Sequence, residues 1–305
     1  MTGRRGGDLP PGYTRLSAGP LPSGAPAAGG ADVVCLTDAA PAVAAALAAG
    51  GTLYGWAAAH PARRAFHGRA PAYAAPLPRG AGGGGGQDAG DVVVRHAWHG
   101  GALRRLTRDL YLPPTRAPGE LRTSERLRAA GVRTPQLVAY ARYPAPLGLR
   151  RADVATRLVP GARDLAAVLL PAPGDQEAEA LRPGWLEATA ELLGALARAG
   201  ARHPDLNLKN VLLAPDAAAD GGVAAWALDV DVVRVSARTS DAGDPTTVLL
   251  ANLRRLVRSL AKWRRTRGLP VSGAEVNALA ARAVGHLRLG PSTSLTIQFD
   301  VRQFA

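Results

Sequence analysis

The chain has 305 residues, 47% of them hydrophobic and 5% aromatic, with a formal net charge of +13 and a pI near 11.1. That length suits one large domain or two lobes around a common cleft, and the charge favours anionic partners: nucleic acid, phospholipid head groups or a phosphorylated small molecule. The single cysteine, Cys35, excludes an internal disulfide framework and fits a reducing compartment.

Glycine and proline collect in residues 1–30, 71–90 and 171–184, which are expected to be disordered or linker segments. The N-terminal "MTGRRGGDLPPG" is basic but has no apolar run behind it, so no secretory signal is expected. "DAAPAVAAALAAG" (38–50) predicts one short helix, with aspartate at its start, an early proline and a terminal glycine. The longer stretch 41–59 has spanning length, but it is built of Ala and Gly and broken at Gly50-Gly51, so a soluble or peripheral protein is expected. "FHGRAPAYAAPLP" (66–78) predicts two short strands around a turn. "RGAGGGGGQDAG" (79–90) is a glycine linker, and the β-branched "DVVVRHAW" (91–98) is a strand. A helix over 119–131 closes on Gly131, and "ADVATRLVPGA" (152–162) is strand-like up to its Pro-Gly turn.

"GWLEATAELLGALARAG" (184–200) is apolar along one helical face. "VLL" and "VAAWALDVDVV" then flank the turn-rich "APDAAADGG" as a hairpin, and 246–268 is a long basic helix. Its apolar stripe is Leu249, Leu253, Leu256, Val257 and Leu260. The basic face suits either plain solvation or contact with anionic lipid. The expected division is an accessory or disordered segment 1–60 with one short helix, a strand-rich half 61–162 and a helical half 163–305.

The loop "RHPDLNLKNVLL" (202–213) carries the chemistry. Asp205 and Asn210 lie five residues apart on it, and Asp229 ends a strand after the hairpin. Phosphoryl transfer needs one carboxylate to take the proton of the attacking hydroxyl. It also needs an amide oxygen and a second carboxylate to hold magnesium against the nucleotide phosphates. Positioning and electrostatics supply most of the remaining rate enhancement. Turn-forming Asp and Asn are the bland alternative for either half alone, whereas the joint pattern H-x-D-x-N-x-x-x-N, hairpin, hydrophobic-D-x-D favours a kinase-like site.

"HPDLNLKNVLL" and "ALDVDVVRV" resemble the catalytic loop and metal-binding strand end of the protein-kinase-like superfamily. More closely, they resemble its 3-deoxy-D-manno-octulosonic acid (Kdo) kinase and lipopolysaccharide core kinase family. The stretches 92–112, 119–136, 157–169 and 251–263 support the likeness, which covers about 66–265. It implies a bilobal protein-kinase-like α+β fold with a strand-rich N-lobe and a larger helical C-lobe. It also implies use of ATP and Mg2+ to phosphorylate the 4-hydroxyl of Kdo on a lipid A precursor. The implied location is peripheral, at the cytoplasmic face of the bacterial inner membrane, or cytoplasmic.

Residue by residue, the resemblance makes Asp205 the catalytic base, His203 a support for the loop, and Asn210 and Asp229 the magnesium ligands. Glu120 matches the glutamate that pairs with a basic residue on the third strand. "VVVRH" offers Arg95 there where protein kinases use lysine; the alternative for Arg95 is a surface charge on an edge strand. Gly68 and Arg69 are the candidates for the nucleotide-covering turn, and Arg104, Arg105 and Arg108 for contacts to the carboxylate and phosphates of the acceptor. The glycines at 82–86 lack the Gly-Lys-Ser/Thr that a P-loop requires. Lys209 is placed either on a phosphate or in solvent.

Pro204 stands where protein kinases carry an arginine that senses a phosphorylated activation segment, and Val230-Asp231 where they carry Phe-Gly. Asp231 is placed near the metal or as an orienter of the loop. The short spacing from Asp229 to the next helix suits a small-molecule or glycolipid acceptor better than a protein. A core-heptose or aminoglycoside-type kinase is the rival enzyme reading, and a non-catalytic nucleotide-binding scaffold the rival outside enzymes. No nucleic-acid partner is expected, because no aromatic-bearing RNA motif or zinc finger is present.

Overall fold

In the computed structural model, residues 8–16, 30–66, 70–78, 90–98, 109–216, 218, 221–236 and 243–287 are described. They fall into two units, Met1–Arg122 with Gln136–Leu158, and Thr123–Pro135 with Val159–Ala305.

The first unit is built on a seven-stranded antiparallel sheet: β1 (Tyr13–Leu16), β2 (Asp32–Leu36), β3 (Arg64–Phe66), β4 (Ala72–Pro76), β5 (Asp91–His96), β6 (Leu137–Pro144) and β7 (Arg150–Arg157). Their order is β1-β2-β6-β7-β5-β4-β3. Side chains alternate across a strand, so neighbours along β5 face opposite ways. Arg95 shares a face with the first turns of α3 (Ala117–Ala129), where it meets Glu120. His96 shares the other face with α1 (Ala40–Gly50) and α2 (Leu53–Ala59), where its register partner is Asp153.

The first 60 residues hold more structure than the single helix expected of them. The run Val33–Leu36 is buried throughout and pairs on both edges, with β1 and with β6. A buried four-residue run between turn-rich stretches has no alternation to betray it. The Ala/Gly stretch forms two helices bent by 73°. A Cβ at Gly50 would lie 2.4 Å from the Trp56 backbone, so the bend requires glycine there. Thr52 then opens α2 by accepting a hydrogen bond from the Gly55 N–H at 2.9 Å. No single described helix is long and apolar enough to cross a membrane.

The second unit packs α6 (Trp185–Arg198) against α7 (Pro245–Arg267), α8 (Gly273–Gly285) and the hairpin of β10 (Val211–Pro215) and β11 (Val223–Ala227). β8 (Arg163–Asp164) extends that hairpin, and β9 (Ala201–Arg202) pairs with β12 (Arg234–Val235). The apolar stripe expected of α7 is its buried face. Asp244, Pro245 and an αL Gly268 delimit that helix as cap, first turn and stop. Residues 171–184 are no plain linker, since Asp175 caps α5 (Gln176–Leu181) within them. The short helix α4 (Leu165–Leu169) is capped likewise by Asp164. α3 serves both units: Ala117 and Leu121 pack in the core of the first, Leu127 in that of the second. Most of the glycine linker, 79–89, lies outside the described residues.

Candidate active site

The loop in the second unit begins at Gly200, whose φ of +65° and whose 2.6 Å approach of a would-be Cβ to the Ser236 carbonyl admit only glycine. His203 follows, buried. Its backbone N–H donates to Asn252 Oδ1 at 2.9 Å, and Asn252 Nδ2 donates to the Ala201 carbonyl at 2.9 Å. The ring donates Nε2–H to the Leu228 carbonyl at 2.8 Å, while Nδ1 is buried with no hydrogen-bond partner. A proton on Nδ1 would have no acceptor, so the neutral Nε2–H tautomer fits the site. Burial accordingly holds the imidazole below its ordinary 6.5, outweighing the Leu228 bond and the nearby Asp229, Asp205 and Asp231 charges.

Asn207 Nδ2 and Asn210 Nδ2 both donate to the Asp205 carbonyl, at 3.0 and 2.8 Å. Asn207 Oδ1 takes the Lys209 N–H at 2.9 Å and caps the following turn. The backbone of Asp205 is therefore clamped while its carboxylate stays about half exposed, at 47%. One oxygen lies 3.5 Å from Asn210 Nδ2, and the other 3.7 Å from Arg255 on α7.

Asn210 is buried at the foot of β10, and its carbonyl accepts the Leu228 N–H at 2.9 Å. Because Val211 pairs with Ala227, that bond sets Asn210 opposite Leu228, one residue from Asp229. Asp229 adopts the left-handed conformation (φ 52°, ψ 46°), unusual for a non-glycine residue, and its carboxylate caps nothing. The Asn210 amide nitrogen is committed to Asp205, so its planar group turns Oδ1 the other way.

The Asn210 amide oxygen and the Asp229 carboxylate are hard donors of the kind magnesium takes, one or two from protein with phosphate oxygens and water completing its octahedron. The described residues contain no group of three or more His, Cys, Asp or Glu able to hold a metal by themselves. Lys209 is exposed, and its Nζ lies 2.9 Å from Asp164 and 5.7 Å from the centre of the Trp263 ring.

In the first unit Arg95 donates through Nη2 to Glu120 Oε1. The Glu120 side chain is only 7% exposed, so it needs a cationic partner to stay ionised. β5 runs between β7 and β4, which corrects the edge-strand alternative for Arg95. Gly68, Arg69, Arg104, Arg105 and Arg108 lie outside the described residues. Sequence reasoning missed Asn252, Arg255 and Ser259, the last accepting the Leu208 N–H at 3.3 Å. Their signal is a polar residue inside the apolar stripe of α7, followed at helical spacing by two more.

Residues 70–281 match the lipopolysaccharide kinase (Kdo/WaaP) family. The chain is 33% identical over 187 residues to a 3-deoxy-D-manno-octulosonic acid kinase of Stenotrophomonas maltophilia, covering 59% of this chain and 66% of that one. To the enzyme of the same name from Xanthomonas oryzae pv. oryzae it is 34% identical over 194 residues, 62% and 67% of the two chains. To that from Vibrio parahaemolyticus it is 29% identical over 179 residues, 57% and 66%. The chain thus spans about two thirds of the length of these curated relatives. Among solved structures, WaaP in complex with acyl carrier protein aligns with a TM-score of 0.43 at 16% identity, covering 73% of this chain and 78% of that chain.

Proposed function

The chain belongs to the lipopolysaccharide kinase (Kdo/WaaP) family, and on that premise we propose that it transfers the γ-phosphoryl group of ATP to the 4-hydroxyl of Kdo on a lipid A precursor. The observation that carries this reading is the clamp on Asp205, in which Asn207 and Asn210 fix the backbone of a half-exposed carboxylate and the Asn210 carbonyl takes the Leu228 N–H, one residue before Asp229.

Asp205 Oδ orients the sugar hydroxyl and takes its proton as the oxygen attacks phosphorus, while the bond from the γ-phosphorus to the ADP oxygen breaks in line. Asn210 Oδ1 and the Asp229 carboxylate would hold magnesium, which when bound would neutralise charge on the nucleotide phosphates. Arg95, oriented by Glu120, meets the nucleotide phosphates with a planar fork of donors. His203, neutral and tied to Asn252 and Leu228, keeps the loop in register with the hairpin. Gly68 and Arg69 cover the nucleotide, and Arg104, Arg105 and Arg108 receive acceptor anions.

We also place the enzyme on an anionic membrane surface. Arg254, Arg258, Lys262 and Arg265 recur on the exposed face of α7, and each basic group near such a surface contributes about 1 kcal/mol. Sedimentation with vesicles containing anionic lipid should show binding that weakens with salt; equal binding to neutral vesicles rules this placement out.

The decisive assay incubates the chain with ATP, magnesium and Kdo-bearing lipid A precursor and measures mass. The gain of one phosphate, lost in Asp205→Ala, is expected. Phosphorylation of heptose-bearing core with none on Kdo would move the acceptor assignment to heptose.

A further inference from the structure

A cavity of about 430 Å3 lies within the first unit, and neither Arg95 nor Glu120 is in its lining. Three arginines line it: Arg15 from β1, Arg122 from α3 and Arg142 from β6. Arg15 and Arg142 share one carboxylate, Asp32, with Arg15 Nη1 at 2.8 Å from Oδ1 and Arg142 Nη2 on Oδ2. One carboxylate leaves that pair with an uncompensated positive charge. Arg122 adds a second, and Asp8 is the acidic residue in the lining.

Arg142 is crowded as well. Its guanidinium sits 5.9 Å from the centre of the Tyr140 ring, and its Nε is buried with no hydrogen-bond partner. Burial, then the Arg15 and Arg150 charges, disfavour its cationic form. A buried donor left unpaired costs free energy comparable to the desolvation of that group. Like charges packed together add to that cost. An anion placed among the three guanidiniums would relieve the repulsion, through the charge-assisted hydrogen bonds that arginine forks make to phosphate.

The remaining wall is apolar, formed by Leu9, Pro118, Leu121 and the Tyr140 ring among others. A free inorganic anion would leave that wall uncovered. The volume is within the range of sites that take a small organic ligand.

We propose that this cavity is a second anion site, which binds a phosphate monoester carried on an apolar body and involves none of the residues assigned above to phosphoryl transfer. The inference goes beyond the kinase reading and does not require it, since binding is read directly.

The test is isothermal titration calorimetry on the full chain with three probes: octyl phosphate, inorganic phosphate and 1-octanol. Each is titrated in the presence of saturating Mg-ATP and into Arg15→Gln/Arg122→Gln as well as the parent. Both replaced side chains are solvent-accessible and neither belongs to the candidate active site, so melting by circular dichroism and Mg-ATP affinity should be unchanged. Octyl phosphate is expected to bind the parent with Mg-ATP present, and to bind the double variant at least tenfold more weakly. Preference for octyl phosphate over inorganic phosphate supports the site and assigns it to a lipid-borne phosphate. Equal affinity for the two, still lost in the variant, would overturn the proposal as stated, because the apolar wall would then contribute nothing. Octanol binding as tightly as octyl phosphate, affinity unchanged in the variant, or loss of binding with Mg-ATP present would each overturn the proposal.

Discussion

A carboxylate that accepts a proton from an alcohol must be reachable by substrate yet fixed in direction, and Asp205 meets both demands through different atoms. Its carbonyl is held by Asn207 and Asn210, while its carboxylate stays half exposed. Asp205→Asn should therefore lower kcat about 100- to 10,000-fold with little change in melting temperature, as steady-state kinetics and thermal denaturation will show. The Arg95–Glu120 pair behaves otherwise, because one partner is almost wholly buried. Arg95→Met removes a cation from beside a nearly buried carboxylate and should cost on the order of 3 kcal/mol in urea denaturation. Adding Glu120→Leu should recover much of that loss, since an apolar pair of similar volume suits a buried site. The loop holding Asp205 and Asn210 and the hairpin leading to Asp229 were legible in the sequence as elements, because a polar turn between an apolar helix and two β-rich runs needs no distant partner to be seen. Lys209 was not, because its partners Asp164 and Trp263 arrive from distant parts of the chain.

α7 shows at the scale of an element what periodicity reveals and what it hides. Its apolar stripe was plain in the sequence, but the stripe contains Asn252, and a buried amide carries no meaning until its partners are known. Asn252, Arg255 and Ser259 follow at helical spacing, and they reach His203, Asp205 and Leu208 in turn. One helix thus frames the whole loop. Asn252→Ala would orphan the His203 N–H and the Ala201 carbonyl, both in buried surroundings. A loss of about 3 kcal/mol is expected in chemical denaturation, with kcat falling as well because the loop loses its anchor. Asn252→Asp keeps the acceptor for His203 and removes the donor to Ala201, so comparing the two variants separates the bonds. Other elements escaped the sequence for opposite reasons. β6 is buried on both faces and shows no alternation, whereas α5 is short and sits in a proline-rich stretch whose composition suggests a linker.

At the scale of the whole molecule, each unit carries a histidine with a shifted pKa, buried His203 and partly buried His96, and their titrations run in opposite directions. His203 is held below 6.5, so its contribution to stability is present above that pH and is lost as the pH falls. His96, in the first unit, lies between two carboxylates, with Nδ1 at 2.6 Å from Asp153 and Nε2 at 3.1 Å from Asp109. Arg151 Nε donates to the same Asp109 at 2.7 Å, and Asp153 also accepts the Tyr54 N–H at 2.9 Å. Tyr54 and Trp98 close around the ring. Burial alone would push the imidazole down; the hydrogen bonds and charge of Asp153, then those of Asp109, outweigh it and raise the pKa above 6.5. A raised folded-state pKa stabilises the protein fully below 6.5, and that stabilisation disappears as the pH climbs through the folded value. The proton then leaves one ring nitrogen facing a carboxylate with nothing to share. Because α2 is tied through Tyr54 to the same Asp153, the cost falls on the join between the N-terminal helices and the sheet. Melting temperature measured across pH should therefore decline above 6.5, and His96→Gln should flatten that alkaline decline by lowering the melting temperature below 6.5, where the parent holds its charged pairing with Asp153 and Asp109. A variant that melts in parallel with the parent over the whole alkaline range would remove His96 from this role.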